Sequence, residues 1–357
     1  MRRTRIDHAI WSRGGPDASV PPPPEPSLPR RAALQAGRRG VLAGALRACL
    51  AAALVGWPRR AAAEPVEVIL GTATPGGGFP AYGAALIEAV AAVDPRLRIV
   101  ARNTRGSAEN LPLVERGEID LGLVTGEVLH EALAGIGRPP ARVKVLAAMY
   151  AQAGLFAVRA GSPARAIGDL RGRPVAFGAR GSGLVVLARY VLDGMGLDLD
   201  RDFDAIYLER AGDGPAMVLD GRAAALWGGG TGWPGFMAVA RGPEGARFLA
   251  PSEAETAAIL ARHPFLRRMT VPAGGYPGLD APLRSVGSWS FILARPDMDE
   301  ALAYRLARAL HGAESTLGDR LAQARETTAA NTVAAVGGPD LLHPGVARYL
   351  REIGVLR

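Results

Sequence analysis

The stretch NTRGSAEN, residues 103–110, separates the apolar run RLRIVA from the segment LPLVERGEIDLGLV. An apolar run, a turn rich in glycine and serine and then a short helical segment form the pattern of a βα junction. Two further junctions have the same form, LGTATPGGGFPAYGAAL at 70–86 and VAFGARGSGLVVLARYVL at 175–192. The chain therefore places a turn of small residues before three of its predicted helices.

Strand-like and helix-like runs alternate through most of the chain after residue 65. Alternation with short loops predicts a mixed, mostly parallel sheet with helices on both faces. After the strand-like GSWSFILAR near 287–295 the pattern becomes helical, at 298–313, 314–330 and 344–353. The earlier strand-like runs are 66–73, 97–101, 120–125, 143–150, 154–160, 174–179, 203–209 and 223–229, and the helix-like runs are 80–92, 107–116, 127–134, 183–195, 212–219 and 233–240.

The three small-residue turns indicate a binding cleft. In open α/β sheets such turns lie at the carboxyl ends of the strands, where ligands bind. The N-terminus of a helix offers free N–H groups and a partial positive charge, glycine lets a ligand approach the backbone, and serine caps the helix or contacts the ligand. One such turn alone is more often an ordinary capped loop. Three of them favour a site for a small anion.

Composition limits the class of protein. The chain has 357 residues, of which 48% are hydrophobic and 21% charged, enough for one large or two medium domains. The net charge of +8 would suit a nucleic-acid partner. Nearly all of this excess lies in residues 1–63, however, and the rest of the chain is close to neutral. We therefore predict no nucleic-acid binding.

Residues 1–63 have the features of a disordered leader with an export signal. An arginine-rich segment precedes GVLAGALRACLAAALVGW at 40–57, which is barely long enough to span a bilayer and is interrupted by Arg47. RRAAAEP follows, and we predict cleavage after Ala63 and a periplasmic mature protein. RRGVL at 38–42 resembles a twin-arginine signal, although an ordinary export signal or an uncleaved anchor also fits. Cys49, the single cysteine, lies in this run, so the mature chain would contain no thiol.

No group of residues indicates a catalytic centre. The only lysine, Lys144, follows no glycine-rich loop, GARGSG lacks dinucleotide-binding spacing, and Ser182 is not in a nucleophile elbow. The histidines are scattered, and His343, before Pro344 at a predicted helix start, is predicted to be a helix cap or a surface residue and not a metal ligand. The aspartates of DLDRDFD at 198–204 are interrupted by arginine and predict a solvated loop. We predict a protein that is not an enzyme and holds no metal or cofactor, with an exported hydrolase as a weaker alternative.

The three turns also carry a resemblance to a known family. The chain resembles the TAXI branch of the substrate-binding proteins that serve TRAP transporters. The glycine-rich opening at 70–86, the segment IGDLRGRPVAFGARGSG at 167–183 and the ending LHPGVARYLREIG at 342–354 are all similar to that family. Its T-x-G-S-x-E-N motif stands intact as Thr104, Gly106, Ser107, Glu109 and Asn110. The resemblance covers about 64–357.

This resemblance implies a two-lobed periplasmic-binding-protein fold, type 2-like, with a cleft between the lobes. Lobe one would comprise 64–155 and 286–357, lobe two 156–285, and two connecting strands would form a hinge. The implied function is capture of a small organic anion, such as a carboxylate, and its delivery to the membrane permease subunits of a TRAP transporter. A binding protein of an ABC importer or of a sensor kinase would have the same lobes, so these alternatives stay open.

The sequence departs from the family on several loops. The first turn reads GFPAY where the family has paired tyrosines, Leu184 replaces a threonine, Ala224 replaces an acid, and 227–233 is bulkier than usual. Glu109 would repel an anion, so we expect it to turn away from the cleft or to form a salt bridge, for example with Arg105. Arg180 is either a clamp for a carboxylate or a solvated loop arginine, and each tryptophan either stacks on the ligand or belongs to the core. The predicted ligand-binding residues are Thr72, Gly76, Gly77, Phe79, Thr104, Ser107, Asn110, Tyr150, Arg180, Ser182, Gly183, Trp227 and Trp233.

Overall fold

The structure of the chain is a computed structural model that describes residues 65–357. The predicted leader, with Cys49 and the cleavage site after Ala63, lies outside the described residues. Ten strands form one continuous sheet in the described part of the chain. They are β1 (Val66–Gly71), β2 (Leu97–Arg102), β3 (Leu121–Thr125), β4 (Lys144–Arg159), β5 (Pro174–Gly178), β6 (Asp204–Tyr207), β7 (Ala225–Gly229), β8 (Ala246–Leu249), β9 (Arg267–Val271) and β10 (Leu283–Ala294).

The strand order is β2-β1-β3-β10-β4-β7-β5-β6, with β8 beside β4 and β9 beside β10. At each end of the sheet the strands pair in parallel, β2 with β1 and β1 with β3, then β7 with β5 and β5 with β6. The two long strands β4 and β10 pair antiparallel with each other and with their remaining neighbours. Residues 144–153 of β4 pair with β10, whereas residues 154–159 pair with β7 and β8. Both long strands therefore run from one lobe into the other.

Eleven α-helices cover the two faces of the sheet in the described part of the chain. None of them is long and apolar enough to cross a membrane. They are α1 (Gly78–Val93), α2 (Ser107–Glu115), α3 (Gly126–Ala134), α4 (Gly183–Gly194), α5 (Asp213–Leu219), α6 (Pro234–Ala240), α7 (Glu253–Arg262), α8 (Glu300–Gly312), α9 (Glu314–Arg320), α10 (Ala329–Val336) and α11 (Pro344–Glu352).

The apolar core follows the two lobes. One large cluster fills the first lobe, around β1, β3, the first half of β4 and the C-terminal helices. The second lobe has two clusters, one on each face of its sheet. Alternate residues of β4 enter these two clusters, with Phe156 and Val158 on one face and Leu155 and Ala157 on the other, because successive side chains of a strand point to opposite faces. The two-lobed α/β fold predicted from the sequence is confirmed.

Several local predictions were wrong. The runs 143–150 and 154–160 are one strand, β4, which continues through the crossing between the lobes. The helix predicted over 314–330 ends at Arg320, and α10 begins after Thr328, whose hydroxyl accepts the Asn331 N–H. The elements β8, α7 and β9 were missed; each of them is largely exposed or half-buried, so its apolar pattern is weak. Of the two roles predicted for His343, the cap is confirmed, since its Nδ1 accepts the Gly345 N–H, and the surface position is wrong, since the residue is buried.

Candidate functional site

The three small-residue turns come together between the lobes. The first two lie in lobe one, where Gly77 and Gly106 precede the first residues of α1 and α2. The third lies in lobe two, where Ser182 caps α4 by accepting the Val185 N–H with its side chain. The N-termini of α1, α2 and α4 therefore all border one space. The sequence predicted this convergence from the βα pattern alone.

The two lobes touch directly across this space. The backbone N–H of Ala108, in the first turn of α2, donates to the carbonyl of Gly181 at 3.2 Å. On the other side of the opening, the N–H of Gly212 donates to the carbonyl of Pro75 at 3.3 Å. Main-chain hydrogen bonds between the lobes at two separate points mean that the structure is a closed form of the cleft.

The small residues in the turns make this closure possible. Gly106 has φ = 110°, a conformation that side chains disfavour, and a β-carbon there would lie 3.2 Å from the Cα of Ser182. Gly76 has φ = 81°, and a β-carbon there would lie 2.6 Å from the Cα of Gly212. The glycines are therefore required by the packing of one lobe on the other. From the sequence we expected a different reason for these glycines, namely that they let a ligand approach the backbone.

Between the two lobes lies a partly open cavity of about 60 Å³, measured as the space open to the centres of water molecules. Of the thirteen residues predicted to bind ligand, eight line this cavity: Gly77, Phe79, Ser107, Tyr150, Ser182, Gly183, Trp227 and Trp233. The other lining residues are Ala73, Thr74, Gly78, Gly106, Thr125, Gln152, Gly178, Ala179, Leu184, Leu208, Ala211 and Leu226.

Aromatic and aliphatic side chains form most of the cavity wall. The indole N–H of Trp227 donates to the carbonyl of Leu184 at 2.7 Å, so this tryptophan can offer a ligand only its apolar ring. The ring of Trp233 packs against Gly78, where a β-carbon would lie 2.9 Å from the indole, and so closes the first turn against lobe two. Both tryptophans are almost fully buried. Each one is therefore a core residue and a wall of the cavity at once.

A few polar groups face the same space. Thr125, at the end of β3, is 2% exposed and lines the cavity. Burial raises the pKa of the Tyr150 phenol well above its ordinary value, so the phenol stays protonated as a potential donor. The amide of Gln152 contacts the hydroxyl of Ser290 on β10. No lysine, arginine, histidine, aspartate or glutamate lines the cavity within residues 65–357.

The polar side chains of the second turn lie beneath the cavity and bind the ends of two strands. The Asn110 side chain donates to the carbonyls of Thr72 at 2.7 Å and Leu123 at 2.8 Å, and it accepts from the Thr104 hydroxyl at 2.8 Å. The Thr104 hydroxyl also accepts the Gly106 N–H at 3.1 Å. These contacts tie the ends of β1 and β3 to the turn that begins α2.

Five predicted ligand-binding residues lie outside the cavity lining. Thr72, Thr104 and Asn110 lie beneath it and bind main-chain atoms, and Gly76 packs on the other lobe. Arg180 is exposed, and its guanidinium stacks on the ring of Tyr207, 3.8 Å from the centroid. These side chains are engaged with the protein itself, which the sequence pattern could not reveal.

Ser107 both joins two elements of lobe one and lines the cavity. Its hydroxyl accepts the Thr125 N–H at 3.1 Å, which joins the start of α2 to the end of β3, while the residue also lines the cavity. The prediction that Glu109 turns away from the cleft is confirmed, because Glu109 accepts from the Arg105 side chain at 3.3 Å.

A buried carboxyl group lies behind the Thr125 hydroxyl. Glu127, in the first turn of α3, is fully buried and contacts the hydroxyl of Ser288 on β10. Burial raises the pKa of Glu127 to about 7, and the hydroxyls of Ser288 and Thr125 oppose this increase. A group that is half protonated near neutral pH therefore lies next to the cavity wall and touches one of the two long strands.

Sequence reasoning missed Thr125, Gln152 and the aliphatic lining residues. Thr125 ends the run DLGLVT, so the rule that ligands bind at the carboxyl ends of strands could have included it. Gln152 had no such signal, since it lies in the middle of β4.

The fold and the closed interlobe cleft define the architecture of a two-lobed periplasmic binding protein. The chain belongs to the NMT1-like family, whose model matches residues 70–354.

Solved structures with a similar fold include one described as a periplasmic transporter, which is 15% identical with a TM-score of 0.50 over 74% of this chain and 88% of that one. The alkanesulfonate-binding protein SsuA from Xanthomonas axonopodis pv. citri, bound to MOPS, is 21% identical with a TM-score of 0.43 over 81% and 85%. A TctC solute-binding protein from Polaromonas is 17% identical with a TM-score of 0.43 over 83% and 100%. At these identities the likeness concerns the fold alone.

Proposed function

We propose that this chain is an exported solute-binding receptor that captures a small organic anion between its lobes and delivers it to a membrane permease. The observation that carries the proposal is the cavity between the lobes at which the N-termini of α1, α2 and α4 meet. Free N–H groups and the helix dipoles favour a negative charge at such a point.

Opening and closing would occur about the two long strands. The lobes are proposed to be 64–155 with 286–357, and 156–285, joined where β4 and β10 cross between them. A solute would enter the open form, and the main-chain contacts of Ala108 with Gly181 and of Gly212 with Pro75 would then close over it. Closure would present a single composite surface of both lobes to a permease.

The resemblance of the three turns to the TAXI branch supports a TRAP-type permease, driven by an ion gradient, as the partner. The leader supports export to the periplasm, with cleavage after Ala63. A binding protein for an ATP-driven importer is the alternative, since both classes use two-lobed receptors.

Two experiments test the proposal. A solute that raises the melting temperature should also reduce the radius of gyration in X-ray scattering, because closure makes the protein more compact; a ligand at 100 times its dissociation constant adds about 2.7 kcal/mol to stability. The permease encoded beside the gene, reconstituted in vesicles, should then take up that solute with a sodium gradient and without ATP. Uptake that requires ATP would favour the alternative, and chemical conversion of the solute would contradict a pure binding function.

A further inference from the structure

We infer that the charged end of the solute is an oxyanion with a single negative charge, bound over the N-terminus of α1 between the hydroxyl of Tyr150 and the indole N–H of Trp233. The inference rests on the proposed function and deepens it by naming the groups that hold the anion. It follows from several hydrogen-bond donors that converge on Gly78, the first residue of α1.

The first turn of α1 has main-chain donors without acceptors. Gly77, the residue before the helix, has no side chain with which to cap it. Ala81 is the first residue of this turn whose N–H has a main-chain acceptor within the helix. Pro80 has no N–H, so within residues 65–357 the N–H groups of Gly78 and Phe79 are left unpaired. Both residues line the cavity.

Two buried side chains bring polar atoms to the same point. A β-carbon placed on Gly78 would lie 2.9 Å from Nε1 of Trp233 and 3.6 Å from the hydroxyl oxygen of Tyr150. Trp233 is 5% exposed and Tyr150 is 2% exposed, and both line the cavity. The backbone N–H of Trp233 donates to the hydroxyl of Tyr276, whereas its indole N–H and the Tyr150 hydroxyl have no hydrogen-bond partner in the part of the chain that the structure describes.

All of these groups donate, and this property selects the ligand group that they bind. Burial holds the pKa of the Tyr150 phenol well above its ordinary value, so the hydroxyl keeps its proton. An indole N–H and a backbone N–H can only donate. An ammonium group here would leave the donors unpaired and buried, whereas every oxygen of an oxyanion accepts. The α1 dipole also favours a negative charge at this point.

The surroundings limit the anion to a single charge. No lysine or arginine lines the cavity among the described residues, so only neutral donors and helix dipoles balance the charge. A carboxyl group outside the lining, Glu326, acts on the Tyr150 hydroxyl electrostatically and accepts the Ala151 N–H at 2.6 Å. Its repulsion would act twice as strongly on a dianion. A carboxylate or a sulfonate meets these conditions, and a phosphate dianion does not.

The indole N–H signals provide a direct test. In exported protein labelled with nitrogen-15, titration with acetate or methanesulfonate should move the Trp233 indole signal downfield until it saturates, because the indole hydrogen would bind the anion. The signals of Trp227, which already donates to the Leu184 carbonyl, and of Trp289, outside the lining, should move much less. Acetamide and dianionic phosphate should bind at least tenfold more weakly. Trp233→Phe identifies the signal by its loss.

The possible outcomes separate this inference from the proposed function. A response to acetate alone would identify a carboxylate, a response to methanesulfonate alone would identify a sulfonate, and either supports the site. No saturable shift with either anion, or equal binding of acetamide, would overturn the inference. If another compound closes the lobes in X-ray scattering without moving the Trp233 signal, the inference fails and the proposed function stands. If no compound closes them, both fail.

Tyr150→Phe tests the second side-chain donor because it removes the hydroxyl and keeps the ring. Loss of a hydrogen bond to a charged group should weaken binding of the anion roughly tenfold or more, while binding of acetamide changes less. Tyr82→Phe is the matched control, because the Tyr82 ring packs on Tyr150 at 5.6 Å between centroids, whereas its hydroxyl is bonded to Thr327 outside the lining. It should lower stability and leave anion affinity unchanged. A folded Tyr150→Phe protein with an unchanged preference for the anion over acetamide would contradict the placement.

Discussion

Gly183 and Thr125 meet across the cleft so closely that a β-carbon on Gly183 would lie 1.9 Å from Thr125 Oγ1. Gly183 begins α4 in lobe two, and Thr125 ends β3 in lobe one. The contact therefore exists only in the closed form, and the absence of a side chain at position 183 is a condition for closure.

Gly183→Ala should consequently hold the lobes apart. Relief of such an overlap costs about 1–3 kcal/mol, so ligand affinity should fall roughly tenfold or more. The open form should keep its stability, since alanine is a better helix former than glycine. X-ray scattering with ligand should show incomplete compaction. Gly168→Ala, at an exposed position with no atom within 4 Å of the added β-carbon, is the matched control. Normal closure of the Gly183→Ala protein would contradict this prediction, because it would show that Thr125 can move to make room for the added β-carbon.

Glu127 should make stability depend on pH. Its pKa is about 7 in the folded protein against an ordinary 4.5, so the neutral form is favoured by folding. The resulting stability is complete below pH 4.5 and is lost as the pH rises through 7, by at most about 3 kcal/mol. Urea unfolding between pH 5 and 8 should show this loss. Glu127→Gln should remove it, whereas Glu67→Gln, at an exposed position, should not. A pH profile that Glu127→Gln leaves unchanged would assign the dependence to another group.

Gln323 should destabilise the closed form. It is buried in the 3₁₀ helix Ala322–Glu326, and neither atom of its amide has a partner among the described residues. A β-carbon on Gly230 of lobe two would lie 2.5 Å from its Nε2, so the amide is enclosed by both lobes. An unpaired buried amide costs about 1–3 kcal/mol. Gln323→Met should therefore raise the melting temperature by a few degrees, and Gln323→Glu should lower it. A decrease with both would mean that ordered water satisfies the amide.

Arg180→Ala should leave ligand affinity within about threefold of the original value. The guanidinium lies over Tyr207 outside the cavity, and a contact of this kind at an exposed site contributes about 0.5–1 kcal/mol to stability. Tyr207→Leu should lower stability by a similar amount, and the double variant by no more than either alone. A hundredfold loss of ligand affinity in calorimetry would instead support the other interpretation from the sequence, in which Arg180 binds a carboxylate of the ligand.

Asn110→Ala should lower the free energy of unfolding. It would leave the carbonyls of Thr72 and Leu123 without their buried donor, a loss of about 2–4 kcal/mol if both stay unpaired. Asn110→Asp should be worse, because a carboxylate would face the same carbonyl oxygens. Chemical unfolding measures the loss. Ligand affinity at low temperature, where the variant is still folded, should change by less than tenfold; a larger change at full folding would place Asn110 in direct contact with the ligand.

The sequence predicted the elements that depend on local pattern. The βα alternation, the three turns and the His343 cap all follow from residue type and spacing, because glycine, serine and proline restrict the backbone wherever they stand. The alternation also predicted that the three helix N-termini would meet at one edge of the sheet.

The direction of side chains was not predictable in this way. Thr104 and Asn110 stand in a motif rich in polar groups, yet those groups bind the ends of β1 and β3. The Arg180 guanidinium stacks on Tyr207, and these two residues become neighbours only in the folded chain. Thr125 and Gln152 line the cavity because strands of both lobes converge there. A single sequence does not show which strands converge.

The two long strands have a consequence for how the protein unfolds. Residues 144–153 of β4 pair with β10 and residues 154–159 pair with β7 and β8, so each lobe depends on a strand that the other lobe also uses. Loss of either lobe would leave the main chain of a shared strand without partners, and the lobes cannot melt as separate units. Calorimetry should therefore record one transition, whose van't Hoff enthalpy equals its calorimetric enthalpy, even though we propose that the two lobes move relative to each other on binding.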